Sequence, residues 1–288
     1  MSQYLNELFM IMKRTTSTKH QLVIFFVLTY AVSWSLFFVG HQTQILPIIL
    51  LGIWAPSLTS IFLTAYFFGK KGITLFFNRF KRIKIKWYWW LVLLLLPATI
   101  HITGFSLWSL IYNGEINTSN LYLSYMLGAI IPSILIAGFG EELGWRGFAL
   151  PRLQQNFSPV VASFILAIVH LLWHLPTYWL GQGIHNVPFL FVLAFVFPWT
   201  FIFNWLYNKS GGSLIFAVGF HAISNASLSV VRFMPWDEVV PITPKLVTQL
   251  SLPEELGGPY LTVCAVYFLV AIIVFIKGGF NKVNTDIP

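Results

Sequence analysis

Charge is what this chain has least of: 9% of its 288 residues are Asp, Glu, Lys or Arg, against 57% hydrophobic. A soluble domain carries about 25% charge, so a water-facing surface cannot be built from this composition. Acidic residues are scarcer still, 9 against 17 basic ones, for a net charge of +8. Cysteine is nearly absent. The single Cys264 excludes an intrachain disulfide and leaves a thiolate metal site without ligands; its ordinary reading is a small buried apolar residue. No Pro/Gly/Ser linker and no internal repeat divides the chain, so residues 1–288 are read as a single membrane domain.

What is present in quantity is apolar runs of spanning length, about 20 residues each. They fall near 22–40, 45–69, 88–112, 121–140, 158–180, 187–207, 212–232 and 259–277, which predicts an all-α, polytopic transmembrane bundle of about eight helices. The first run follows Lys13, Arg14 and Lys19 as a signal peptide does, but Leu22 to Gly40 is long and no small-residue cleavage site follows. It is read as the first span.

The basic residues fix an orientation. With the N-terminus inside, all of them except Arg232 and Lys245 lie in inner segments, a strong positive-inside asymmetry. Both termini are therefore expected in the cytoplasm, most simply at a bacterial cell membrane. The same placement accounts for the net positive charge through orientation and membrane lipid headgroups, so nucleic acid is discounted as a partner. Residues 72–87 set Phe76, Phe80 and Ile83 at helical spacing among Arg79, Lys81, Arg82, Lys84 and Lys86, the pattern of an interfacial helix. Trp87 to Trp90 mark the headgroup level.

Ionisable groups within spans are costly and usually functional. At the end of the fourth run Glu141 and Glu142 are adjacent, with Arg146 four residues after the second. On a helix Glu142 and Arg146 share a face and can pair, while Glu141 points about 100° away. The plain alternative is a cytoplasmic helix cap with a surface salt bridge. In the fifth run His170 and His174 stand one turn apart, able to exchange protons near neutral pH. As a zinc motif the pair is weak, because Leu171, Leu172 and Trp173 leave no general-base glutamate between them. In the seventh run His221 and Asn225 repeat the one-turn spacing and can donate toward one point; the alternative is interhelical glue. His101 reads as a packing or pore-lining histidine, and Glu115, Asp237, Glu238, Glu254 and Glu255 fall in outer loops.

In this order and placement the residues resemble the CPBP family of intramembrane proteases, which includes the type II CAAX prenyl endopeptidases and bacterial Abi-type proteins. The resemblance covers residues 120–230, taken as the catalytic core. The family's Glu-Glu-xxx-Arg, aromatic-xxx-His and His-xxx-Asn motifs fall on Glu141, Glu142 and Arg146, on His174, and on His221 and Asn225. One departure is that His170 occupies the aromatic position; the Leu175-Pro176 that follows favours His174 as the catalytic histidine. The resemblance implies an endopeptidase acting on a hydrophobic or lipid-modified peptide or protein at the membrane. Glu141 and His174 would activate a water, His221 and Asn225 would hold the oxyanion, and Glu142 and Arg146 would support them. Neither Cys264 nor Ser224 is placed as a nucleophile, and Ser224 faces away from the His221/Asn225 pair. The family has also been classed with metalloproteases, so zinc stays an alternative to a mechanism with no cofactor. A non-enzymatic bacteriocin-immunity or adaptor role is the competing reading, and a proton-relaying transporter a third. The oligomeric state is not legible.

Overall fold

A computed structural model describes residues 17–113, 123–180, 187–230, 254–277 and 279–282. Among the described residues the chain runs through eight helices: α1 Thr18–Thr43, α2 Leu46–Asn78, α3 Trp87–Asn113, α4 Leu123–Asn156, α5 Pro159–Trp173, α6 Phe189–Lys209, α7 Leu214–Ser227 and α8 Glu254–Ile276. A short helix, Leu175–Trp179, continues α5. Among the described residues there is no strand. Seven of these helices are long and apolar enough to cross a membrane, and exposed Val, Leu, Ile and Phe side chains cover their outer faces. The protein is an integral, multi-pass membrane protein.

The expected seventh span is the short one. α7 has 14 residues, about 21 Å of helix, and nearly all its side chains are buried. It packs on α3 and α4, and residues beyond 230, which the expected run included, lie outside the described residues.

Hydrogen bonds gather one end of the bundle. Asn156 at the end of α4 donates to Thr18 at the start of α1 (3.0 Å), and Arg82 after α2 donates to the carbonyl of Gly211 after α6 (2.7 Å). Asn208 donates to the carbonyl of Asn281 beyond α8 (2.8 Å). The described start and end of the chain therefore share a face with most of the cations.

The 72–87 segment differs from expectation. Gly69 takes a φ of 61° inside α2, a left-handed turn that glycine adopts without steric cost. The helix beyond it buries Phe76 and ends in a single tight turn at Arg79–Lys81. Residues 82–86 are not helical. Their sequence, Arg-Ile-Lys-Ile-Lys, alternates with period two and carries β-branched residues that disfavour helix, and Arg82 ties the segment to Gly211.

α4 also differs. It does not stop near residue 140 but runs on through the Glu-Glu-xxx-Arg segment, with wide π-type turns over Ile134–Gly138 and Leu143–Ala149. The continuation is held from α2. A Cβ on Gly144 would lie 2.6 Å from the backbone of Pro56, so only glycine permits that approach. The cap-and-surface-salt-bridge alternative falls here, since every residue from Gly140 to Gln154 is buried.

Candidate active site

The site is built where α4, α5, α6 and α7 meet. Glu142 and Arg146, both 0% exposed, form an ion pair within one turn of α4: Nη1 donates to Oε1 at 2.8 Å and to Oε2 at 3.1 Å. A buried pair costs desolvation unless its remaining valences are filled, and here several are. Arg146 Nε donates to Asn204 Oδ1 (3.1 Å), and the guanidinium lies 3.7 Å above the centre of the Phe203 ring. Asn204 in turn donates to Ser163 Oγ (2.9 Å). The free side of the carboxylate meets α7, where His221 Nδ1 is 2.6 Å from Glu142 Oε1.

That contact fixes a proton. A carboxylate paired with arginine is ionised and only accepts, so His221 donates its Nδ1–H to it. Nε2 then carries a lone pair in the neutral ring and becomes a donor when the ring takes up a proton.

Glu141, a third of a turn away, faces α5, where His170 Nε2 lies 2.8 Å from its Oε2. His174 is at the end of α5, where Pro176 interrupts the helix because it has no N–H to offer the carbonyl of Leu172. The break is tied off by Thr177, which donates through both N and Oγ1 to the His174 carbonyl, and by Trp34, whose Nε1 donates to the Trp173 carbonyl (3.1 Å). One donor atom from each of Glu141, His170 and His174 lies within 4.8 Å of the others. Such a spacing suits a shared water or a small metal ion.

A cavity of about 40 Å³ adjoins these groups, walled by His170, His174, Tyr178, Trp199, His221 and Asn225 among others. A water needs only about 10–15 Å³ of such space, so the cavity admits water beside several polar partners. His170 lies 11 residues into α5, about 16 Å from its start, which sets the site deep within the bundle.

The residues singled out in the sequence therefore fall together: His174, His221 and Asn225 share one cavity, Glu141 is reached from it through His170, and Glu142 with Arg146 forms the support. His101 stands apart, bonded to the Pro97 carbonyl and packed on Tyr267. Cys264, in α8, is buried, and neither it nor Ser224 is among the described residues that wall the cavity. Glu115, Asp237 and Glu238 lie outside the described residues, as do the side chains of Glu254 and Glu255.

Two functional supports were not anticipated. Asn204 is a fully buried carboxamide among the apolar residues of α6, a signal that its composition alone could have raised. Arg79 read as one more inner cation, but it is buried and donates to the carbonyls of Gly147 (2.6 Å), Arg146 (3.2 Å) and Gly212 (3.3 Å) and to the Tyr207 hydroxyl. Pro151 leaves the Gly147 carbonyl without its helical donor, and Arg79 supplies one. It thereby stitches the wide turn that carries Arg146.

A polytopic membrane protein with two buried carboxylates, each bonded to a histidine on another helix, has the makings of an intramembrane hydrolase. Comparison with known proteins agrees. Residues 122–227 match the family model described as type II CAAX prenyl endopeptidase Rce1-like. The chain is also 29% identical over 232 residues to CAAX prenyl protease 2 of Methanococcus maripaludis, covering 73% of this chain and 84% of that protein. Over these stretches the chain is similar to CAAX prenyl proteases, which supports a relationship to the CPBP/CAAX protease family. Its spanning helices with exposed apolar faces place it in a lipid environment.

Proposed function

We propose that the protein cleaves a peptide bond of a lipid-modified, membrane-associated protein or peptide by means of a water activated between Glu141 and His174. The observation that carries this is the grouping of Glu141, His170 and His174 within 4.8 Å beside a water-sized cavity that His221 and Asn225 also wall.

Peptide hydrolysis needs an activated water, a held oxyanion and a protonated leaving amine. Glu141 takes a proton from the water, which His174 helps to orient, and the water attacks the scissile carbonyl. Asn225 and the Nε2 of protonated His221 donate to the oxyanion, with Glu142 on Nδ1 stabilising the imidazolium. Glu141 then passes its proton to the leaving amine. Among the described residues no serine, threonine or cysteine lines the cavity, which favours water over an acyl-enzyme. Removing His174 should lower turnover by at least about 100-fold, and Asn225→Ala by about 100- to 1000-fold.

The relative's name includes a prenyl protease activity, and by that likeness a prenylated cysteine is the lipid group to try first. The basic end of the bundle is placed in the cytoplasm on the charge asymmetry, with both termini there. A reporter fused at Lys282 should read as cytoplasmic, and an outside reading would overturn that orientation. The function itself is tested by comparing membrane peptidomes from cells carrying the native protein or Glu141→Gln. Fragments present only with the native protein are expected, whereas identical peptidomes would leave the immunity or adaptor role standing.

A second reading rests on the same three residues, since Glu141, His170 and His174 make a two-histidine, one-carboxylate set of the kind that holds zinc. There the metal would activate the water. Turnover that survives chelation excludes it.

A further inference from the structure

Five aromatic systems surround the His170 ring: Trp145 at 5.1 Å between centroids, His174 at 5.1 Å, Trp173 at 6.0 Å, Trp199 at 6.1 Å and His221 at 6.2 Å. An aromatic hydrocarbon would fill that space as well, and packing alone does not require a histidine. What the histidine adds is a polar atom, and that atom is 2.8 Å from Glu141 Oε2. Both side chains are at least 95% buried, with relative exposures of 5% and 3%. An isolated polar group there would cost several kcal/mol, so the contact is a specific one.

We infer that His170 is a positioning residue for the Glu141 base: its Nε2–H holds one carboxylate oxygen and turns the other toward the water beside His174. The inference rests on the reading of Glu141 as the base. A base ready to take a proton is a carboxylate, and a carboxylate only accepts hydrogen bonds, so His170 is the donor. His170 also stands in the cavity wall, and its bonded carboxylate has an atom within 4.8 Å of His174, so a donor at His170 bears directly on how Glu141 meets a water there. Two oxygens swinging freely about χ3 would present the wrong lone pair for part of the time, and misplacement of a reacting group by about 1 Å can cost on the order of 100-fold in rate.

The test uses the full chain in detergent and a quenched fluorescent peptide ending in farnesyl-cysteine and three further residues. Four proteins are compared: native, His170→Phe, His170→Gln and Glu141→Gln. Phenylalanine keeps the packing and removes the donor; glutamine carries an amide N–H to about the position of Nε2. The expected result is a kcat lower by about 10- to 100-fold in His170→Phe, KM within roughly twofold, and most of the loss recovered in His170→Gln. All active proteins should be indifferent to a zinc chelator.

Native kcat in His170→Phe with Glu141→Gln inactive would overturn the inference and leave the base in place, making His170 a packing residue. Full activity in both variants would remove Glu141 as the base and the inference with it. Loss of native activity on chelation would make His170 a metal ligand instead. If the native protein does not cleave this peptide, thermal unfolding of His170→Phe, Glu141→Gln and the double variant decides. Coupled losses of Tm support the contact, and strictly additive ones overturn it.

Discussion

The two halves of α4 differ in both burial and charge. From Leu123 to Ile136 most side chains are exposed, with Met126 the one buried residue, and the segment carries no charge. From Gly140 to Gln154 every residue is buried, yet this half holds Glu141, Glu142, Arg146 and Arg152. Lipid rewards an apolar exterior and gives a buried charge nothing, so the charges occur only where other helices supply their partners. Glu141 draws on α5, Glu142 on α7, Arg146 on α6, and Arg152 on Gln21 of α1 at 2.8 Å. Polarity in this protein marks chemistry and inter-helix contact, and the outer half of the same helix is the control.

That contrast can be broken by exchanging equivalent changes between the halves. The largest difference is expected for a carboxamide: Glu141→Gln should reduce kcat by about 100- to 10,000-fold, the range for losing an acid–base group, whereas Ile131→Gln, on a side chain 68% exposed, should leave kcat as it was. Equal losses would mean that α4 tolerates no polarity change anywhere, and the halves would not be distinct. Next comes stability. Arg146→Met strands the Glu142 charge in the interior and should cost about 3–5 kcal/mol, against about 0.5 kcal/mol or less for Ile131→Ala, read as Tm in one detergent. A small effect at Arg146 would show that Glu142 is not held as an ion. The smallest effects belong to the groups outside the network: Cys264→Ala and Ser224→Ala should retain turnover, and loss in either with normal protein levels would restore a nucleophile to the mechanism.

The contrast also explains what could be read in advance. The eight helices were legible because lipid imposes a composition on each one, and the pairing of Glu142 with Arg146 because helical geometry sets which residues share a face. The continuation of α4 past residue 140 was not legible. Charge reads as a helix end when the partners are unknown, and those partners, His221, Asn204 and Asn225's cavity, come from helices up to about 85 residues away in sequence. The same limit applies to His170 and His174. Their spacing puts both on one face, but only the approach of α4 decides that His170 touches the carboxylate. Arg79 was hidden for a different reason: among so many inner cations, nothing local marks the one that turns inward to the carbonyl left free by Pro151.

In the proposed mechanism a water held between Glu141 and His174 performs the hydrolysis without a metal. It is tested most directly by measuring turnover of the farnesylated peptide and the metal content of the same purified native protein, before and after exhaustive chelation. Unchanged turnover at a metal content far below one ion per chain is expected. Turnover that falls with the metal and returns on adding zinc would contradict it.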